Sequence, residues 1–389
     1  HGINSVSDEF KIYLNSKIGK RNKNLEVLAS FFESNELQIL KEKSISIVGT
    51  NGKTSSAFYL NEIFTKNDIS SVLFTSPHLV DVNERIKINN EIISDEKISL
   101  YMDDLKQFES ENNIELAYFE TLFLTSCKLF LESKADYFIV EAGIGGLYDT
   151  TSILNVDTVC ITNVNYDHMD LLGESLEEIF YQKIQISDNP KRIIFGDPNL
   201  YEVHKTYVHD KFDLTDKDIY LNDLESQNKM NLNFGTALKI FESIITNFDE
   251  DKTSTVESYP KVPGRFEEVS KNPIKIIDGA HNSSSFETLV SFIEENHTTG
   301  DFDIYIGMKK GKNIIEFMNK IFTKNFNQIY LIENDSFFEQ TKTSDFENYF
   351  NANGLTYKVA TIGDFYTSKN PSILTGSLYL VGKYKKEYS

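Results

Sequence analysis

Residues 49–54 read Gly-Thr-Asn-Gly-Lys-Thr, followed by Ser55. Small residues ending in a lysine and hydroxyls suit the binding of phosphate. Glycines let the backbone turn so that several N–H groups point inward. A helix N-terminus behind the loop adds positive potential, and Lys53 adds a full charge. The loop lies between an apolar run, "SISIVG" at 44–49, and a helix-period segment at 56–67, the setting that a phosphate loop requires. Ile47 stands where the general GxxxxGK[ST] pattern has its first glycine, so a plain glycine-rich turn is the competing reading. A triphosphate is the natural guest.

Three further groups have chemistry to offer. In "FTSPHLVDVNERIKIN" (74–89), Ser76 could give a hydroxyl to Mg²⁺, or Ser-Pro-His could be a turn. Arg85 in the same stretch is either a surface ion pair or a ligand for phosphate or carboxylate. Glu141 closes an apolar run in "FIVEAGIGGLYDTT" (138–151). A carboxylate there is costly unless it is paired or holds metal. Asp167 and His168 follow another apolar run, and a neutral imidazole is a good metal ligand. Lys183 lies 15 residues later, past a helix start at Ser175, and taken singly it is a surface lysine.

The elements that must carry these groups are short apolar runs at 44–49, 70–76, 136–143 and 157–164, alternating with helix-period segments such as 56–67 and 118–134. Strand alternating with helix predicts an open parallel sheet, with ligands at the carboxyl ends of its strands. Residues 186–230 are polar and acidic, and read as short strands and loops. A helix pattern resumes at 233–248. Residues 249–266 read as a connection containing two prolines and a glycine, and a second strand–helix series begins near 260.

Composition narrows the class. Lys plus Arg less Asp plus Glu is 39 − 59 = −20, which argues against nucleic acid or an anionic membrane as partner. No run of about 18 apolar residues is present, and "HGINSVSDEF" lacks the regions of a signal peptide. Cys127 and Cys160 form neither a disulfide framework nor a metal-ligand spacing, and are expected to be buried and reduced, as in a cytoplasmic enzyme. Only four arginines occur, at 21, 85, 192 and 265.

Taken in order, "GTNGKTS", "TSPHL" with "ERI", "YFE" (118–120), "EAGIGG" with Asp149, "DH" with Lys183, "NFGTAL" (233–238), "PGRF" (263–266), "DGAHN" (278–282) and "TGSLYLVG" (375–382) form a recognisable set. The chain resembles the dihydrofolate synthase/folylpolyglutamate synthase family of the Mur ligase superfamily of ATP-dependent amide ligases. The resemblance implies an N-terminal P-loop parallel-sheet ATPase domain, like the central domain of Mur ligases, over 1–259. It implies a smaller Rossmann-like α/β glutamate ligase domain over 260–389, with a hinge near 255–262. It implies ATP-dependent ligation of L-glutamate to 7,8-dihydropteroate or a folate through an acyl phosphate, by a cytoplasmic monomer.

Residue by residue, the resemblance gives Lys53 and the loop of Thr50, Asn51, Gly52, Thr54 and Ser55 to the ATP phosphates. Ser76 and Glu141 would hold one Mg²⁺ and His168 a second. Lys183 would be carbamylated. Asn233 would meet the adenine, Arg265 the γ-phosphate region and Asp278 the ribose, with His281 nearby. Tyr118, Phe119, Glu120, Tyr148, Asp149 and Thr150 would line the pterin pocket, an aromatic wall that suits a flat heterocycle.

The rival within the superfamily is a UDP-muramyl amino-acid ligase. Only about 45 residues precede the loop, too few for a UDP-sugar domain, and "SPHL", "YFE" and "PGRF" belong to the folate branch. Several segments depart from that branch. Thr54 stands where it usually has glycine, and Leu147-Tyr148 replaces its Arg-Leu. Gln182, Ile184 and Gln185 surround Lys183 in place of Glu, Ala and Gly. Gly311-Lys312-Asn313 replaces Asp-Lys-Asp, and Leu25-Glu26-Val27 replaces Leu-Glu-Arg. A nucleotide-binding relative without ligase chemistry is the third reading.

Overall fold

The structure, a computed structural model, describes residues 5–20, 24–166, 172–223, 229–250, 255–309, 314–332 and 343–388. They divide into two compact units. The first ends at Tyr259, and the second runs from Pro260 and takes in Pro77–Val82.

The first unit is built on an eight-stranded sheet. Its strands are β1 (Ser44–Val48), β2 (Ser71–Phe74), β3 (Ile86–Ile88), β4 (Glu91–Ile92), β5 (Tyr137–Glu141), β6 (Thr158–Ile161), β7 (Arg192–Phe195) and β8 (Ile219–Leu221), in the order β4-β3-β2-β5-β1-β6-β7-β8. From β2 to β8 neighbours run parallel, as expected, whereas β3 and β4 form an antiparallel edge. All five residues of β1 are buried, Ser44 and Ser46 as well as Ile45, Ile47 and Val48, as in a parallel strand covered on both faces.

The helix Lys53–Lys66 follows β1 and packs on β1, β2 and β5. It is buried on most sides, from Ser55 through Asn61. Phe64 stacks on Tyr137 of β5 at 5.1 Å and meets Phe241 edge-on at 5.8 Å, while Tyr59 meets Phe234 at 5.6 Å. These contacts set the helix Lys229–Ile244 beside Lys53–Lys66. Each such buried ring contributes about 1.5–3 kcal/mol of transfer energy.

The polar stretch 186–230 contains more than strands and loops. The helix Pro198–Phe212 occupies 15 residues of it, opened by Asp197, whose side chain accepts from Asn199 N, and by Pro198 in the first turn. Tyr201, Val208 and Phe212 are its buried residues. That stripe is too sparse to register as a helical period. Cys127 and Cys160 are fully buried, and burial pushes both thiols up, as for inert core cysteines.

The second unit carries a six-stranded sheet of β9 (Glu267–Lys271), β10 (Ile274–Ile277), β11 (Asp303–Ile306), β12 (Gln328–Ile332), β13 (Lys358–Ala360) and β14 (Ser372–Thr375). Their order is β13-β12-β11-β14-β10-β9. It is parallel except for β9, which pairs antiparallel with β10. Ile277, Tyr305, Phe365, Leu374, Leu380 and Val381 form its core, with Leu79 of the Pro77–Val82 segment packed against them. Two glycines admit that segment. A Cβ on Gly382 would stand 2.0 Å from Leu79 O, and one on Gly264 3.1 Å from Leu79 Cδ1. Among the described residues no helix is long and apolar enough to cross a membrane.

Candidate nucleotide and catalytic site

Four adjacent strands of the first sheet, β2, β5, β1 and β6, end on the same side because they are parallel. At about 4.8 Å per strand their ends span roughly 15 Å. Ser76 lies just beyond β2, Glu141 ends β5, the glycine loop follows β1, and Thr162 and Asn163 follow β6.

The loop is shaped by backbone demands that only glycine meets cheaply. Gly49 has φ 143° and Gly52 φ 82°. A Cβ on Gly49 would fall 1.8 Å from Thr162 Oγ1, and one on Gly52 2.5 Å from Asn233 Oδ1. Asn163 and Thr162 hold the loop from the β6 side. Asn163 Oδ1 accepts Asn51 N at 2.9 Å, Asn163 Nδ2 donates to Asn51 O at 3.0 Å, and Thr162 Oγ1 donates to the same oxygen at 2.7 Å. Thr50 N donates to Asn163 O at 3.1 Å, and Thr50 Oγ1 accepts Asn165 N at 2.9 Å. Asn163 has a role that motif reading passed over. Its signal was an amide residue just past a buried strand, in "ITNVN" (161–165).

Lys53 opens the helix behind the loop and donates from Nζ to Gly143 O at 3.1 Å. Glu141 is 3% exposed. Its Oε1 accepts the Thr54 hydroxyl at 2.6 Å and its Oε2 accepts Ser76 N at 3.0 Å. The buried carboxylate is thus held by groups from two other strand ends, which offsets part of its desolvation. Ser55 is buried in the first turn of the helix. Lys183 is 1% exposed, on the helix Leu176–Ile184 that begins after Ser175, and its Nζ donates to Gly49 O at 3.3 Å. It is therefore no surface lysine. Gly146 lets this helix approach, since a Cβ there would meet Lys183 O at 2.2 Å.

Asn233 is carried to Gly52 by the helix Lys229–Ile244, whose Phe234 is clasped by Tyr59. Lys53, Thr54, Ser76, Glu141, Lys183 and Asn233 thus gather around one loop. Asp167 and His168 lie outside the described residues, as do Gly311, Lys312 and Asn313.

The expected pterin-lining residues divide. Tyr118 opens the helix Tyr118–Ser133, with the Arg85 guanidinium 5.2 Å from its ring centre. Phe119 packs on Phe74 of β2 at 5.5 Å, and its ring lies against Gly143. Glu120 is 2% exposed; Oε1 accepts Ala117 N at 2.7 Å, and Oε2 is buried without a hydrogen-bond partner. Burial pushes its carboxyl up to about 7. Tyr148 is 69% exposed, and Thr150 opens a short 3₁₀ turn, Thr150–Leu154. Asp149 is a loop organiser. Oδ1 accepts Gly143 N at 3.2 Å and Ile144 N at 3.0 Å, while Oδ2 accepts Thr151 N at 3.1 Å and the Thr151 hydroxyl at 2.5 Å.

In the second unit, Asp278 follows β10 and accepts Phe266 N at 2.9 Å and Ala280 N at 2.8 Å. Burial pushes its carboxyl up, against the pull of Arg265 and the two N–H groups. His281 Nδ1 shares a hydrogen bond of 3.0 Å with Gly279 O, just before the helix Ser283–Glu294.

Comparison with known proteins accords with this geometry. The Mur ligase middle domain profile matches residues 47–266. A dihydrofolate synthase/folylpolyglutamate synthase of Buchnera aphidicola is 28% identical over 334 residues, covering 80% of each chain. Among solved structures, Escherichia coli FolC in complex with DHPP and ADP is 21% identical with a TM-score of 0.83, over 98% of this chain and 97% of that one. The Yersinia pestis bifunctional folylpolyglutamate synthase/dihydrofolate synthase complexed with AMPPNP and Mn ion is 22% identical with a TM-score of 0.82, over 99% of each chain. At such identities these structures establish a shared fold. The profile covers more than half of the chain, from the phosphate-loop strand to the "PGRF" motif, and the chain belongs to the Mur ligase family.

Proposed function

We propose that this chain is an ATP-dependent acid–amino-acid ligase that joins L-glutamate to 7,8-dihydropteroate, to a folate, or to both. The observation that carries the reading is the gathering of Lys53, the Thr54–Glu141–Ser76 group and Lys183 around the Gly49–Gly52 loop. The "SPHL" and "YFE" segments and the relatives' names supply the folate side.

The site fits a magnesium nucleotide. Among the described residues no three His, Cys, Asp or Glu side chains stand together as a metal cage. A site of one buried carboxylate with nearby hydroxyls is what Mg²⁺ uses when phosphate oxygens supply other ligands. Glu141 and Ser76 would hold the ion, and His168 a second. When bound, these ions supply charge neutralisation at the phosphoryl group.

A free carboxylate is a poor electrophile, so the acceptor must first be activated. Its carboxylate oxygen attacks the γ-phosphorus of ATP, the bond to the β,γ-bridging oxygen breaks, and ADP leaves an acyl phosphate. The neutral amine of L-glutamate then attacks the acyl carbon. The tetrahedral intermediate collapses with loss of phosphate and of the amine proton. Lys53 donates one N–H to Gly143 O and would offer its remaining N–H groups to the phosphates. A carbamate on Lys183 would keep one N–H for Gly49 O and present a carboxylate beyond it. Asn233, whose amide oxygen stands beside Gly52, would meet the adenine.

The test is phosphate release from MgATP and L-glutamate. Release only on addition of dihydropteroate or a reduced folate supports the reading. Release driven by a UDP-muramyl substrate moves the chain to the peptidoglycan branch. Nucleotide binding without ADP formation on any pterin substrate makes it a binding relative.

A further inference from the structure

Away from the phosphate loop lies a buried polar cluster that the chemistry above does not use. Glu109, on the helix Met102–Asn112, is 9% exposed, and Lys17, just past the helix Val6–Asn15, is 5% exposed. One Glu109 oxygen accepts the Tyr13 hydroxyl. The other accepts Lys17 Nζ and, at 2.8 Å, Leu116 N. Lys17 also lies over the Tyr13 ring, 4.6 Å from its centre. Burial and the Glu109 charge both push the Tyr13 hydroxyl up, so it keeps its proton and donates.

Leu116 is fully buried and stands two residues before Tyr118. Glu109 therefore ties two helices to the turn that launches Tyr118–Ser133. The first residues of that helix are the ones expected to line the acceptor pocket, with Tyr118 under Arg85 and Phe119 packed on Phe74.

We infer that Glu109, with Lys17 and Tyr13, is a positioning residue that sets the Leu116–Glu120 turn and thereby the binding of the pterin acceptor. The link to an acceptor rests on the proposed function; the link to the turn does not. A plain staple between helices would lower stability and affect both substrates alike. A positioning residue acts on the acceptor alone.

The full-length Glu109→Gln variant keeps the size of the side chain and weakens its hold on Lys17. The expected result is a KM for dihydropteroate or folate raised about tenfold, with kcat and the KM for ATP within about twofold of wild type. Amide hydrogen exchange at 116–121 is expected to accelerate relative to the helix Lys53–Lys66. Tyr13→Phe removes one of the three bonds and should give a smaller change in the same direction; it also keeps the inference testable if Glu109→Gln fails to fold. Glu109→Asp should restore part of the acceptor KM. Equal rises in both KM values, or unchanged exchange at 116–121, overturn the inference. If wild-type protein turns over no pterin substrate, the proposed function fails, while the exchange measurement still decides whether Glu109 sets the turn.

Discussion

Glu141 and Asp278 occupy equivalent places, each a buried carboxylate at or just past the carboxyl end of a parallel strand, in the first and second units respectively. Their partners differ. Glu141 is held by a side-chain hydroxyl 87 residues away and a backbone N–H 65 residues away, from two neighbouring strand ends. Asp278 takes backbone N–H groups two and twelve residues away. The first carboxylate is assembled by the order of strands in a sheet; the second is organised within its own loop and hairpin. Of these hydrogen bonds, only the one from the Thr54 hydroxyl to Glu141 can be removed by a side-chain substitution.

The largest effect should come from the lysine that closes the first site. Lys183→Ala is expected to lower turnover by about 10³-fold or more, read as phosphate release. Full activity would remove the carbamate role and leave Lys183 as a packing residue.

Glu120 extends the comparison to a carboxylate with one partnered oxygen. Its carboxyl is raised by burial from 4.5 to about 7. Below pH 4.5 it is protonated in both folded and unfolded chains. As the pH rises through 7 the unfolded chain ionises first, so the wild type loses stability with rising pH. Urea melts at pH 4.5 and 8 should show Glu120→Gln gaining on wild type by up to about 3 kcal/mol. A pH-independent difference would mean that Glu120 is solvated in solution.

Thr54 probes the long-range hold on Glu141. Thr54→Val should lower Mn²⁺ affinity about tenfold in an EPR titration and cost about 1–2 kcal/mol of stability, while Thr54→Ser keeps both. Unchanged affinity in Thr54→Val would show that the Thr54 hydroxyl does not orient the carboxylate. The smallest effect belongs to the other side of the loop. Asn163→Ala removes the hydrogen bonds to Asn51 N and O and should cost about 1 kcal/mol, with a raised KM for ATP. A wild-type KM for ATP would mean that Thr162 and Thr50 suffice.

Motif and periodicity made the parallel strands, the helix after the loop and the helix after Ser175 legible, because buried strands and capped helices leave dense local signals. The helix Pro198–Phe212 escaped because its three buried side chains are diluted among polar ones. Within the site, Lys53 and Glu141 could be read from residue type and place. Asn163 could not be, because an asparagine after a strand looks the same whether it braces a loop or faces solvent. Asp149, which the resemblance places among the pterin residues, has two oxygens that each accept two bonds from the loop around it.

By itself the sequence determined which side chains were available and which local elements would carry them, since propensity, capping and apolar period act over a few residues. Tertiary structure alone decided that Lys183 is buried against Gly49, that Thr54 and Ser76 share Glu141, and that Glu109 reaches from Tyr13 to Leu116. Those contacts join residues from 7 to 134 positions apart. The order of strands in a sheet and the packing of helices on it bring such residues together, and no local pattern in the chain encodes that order.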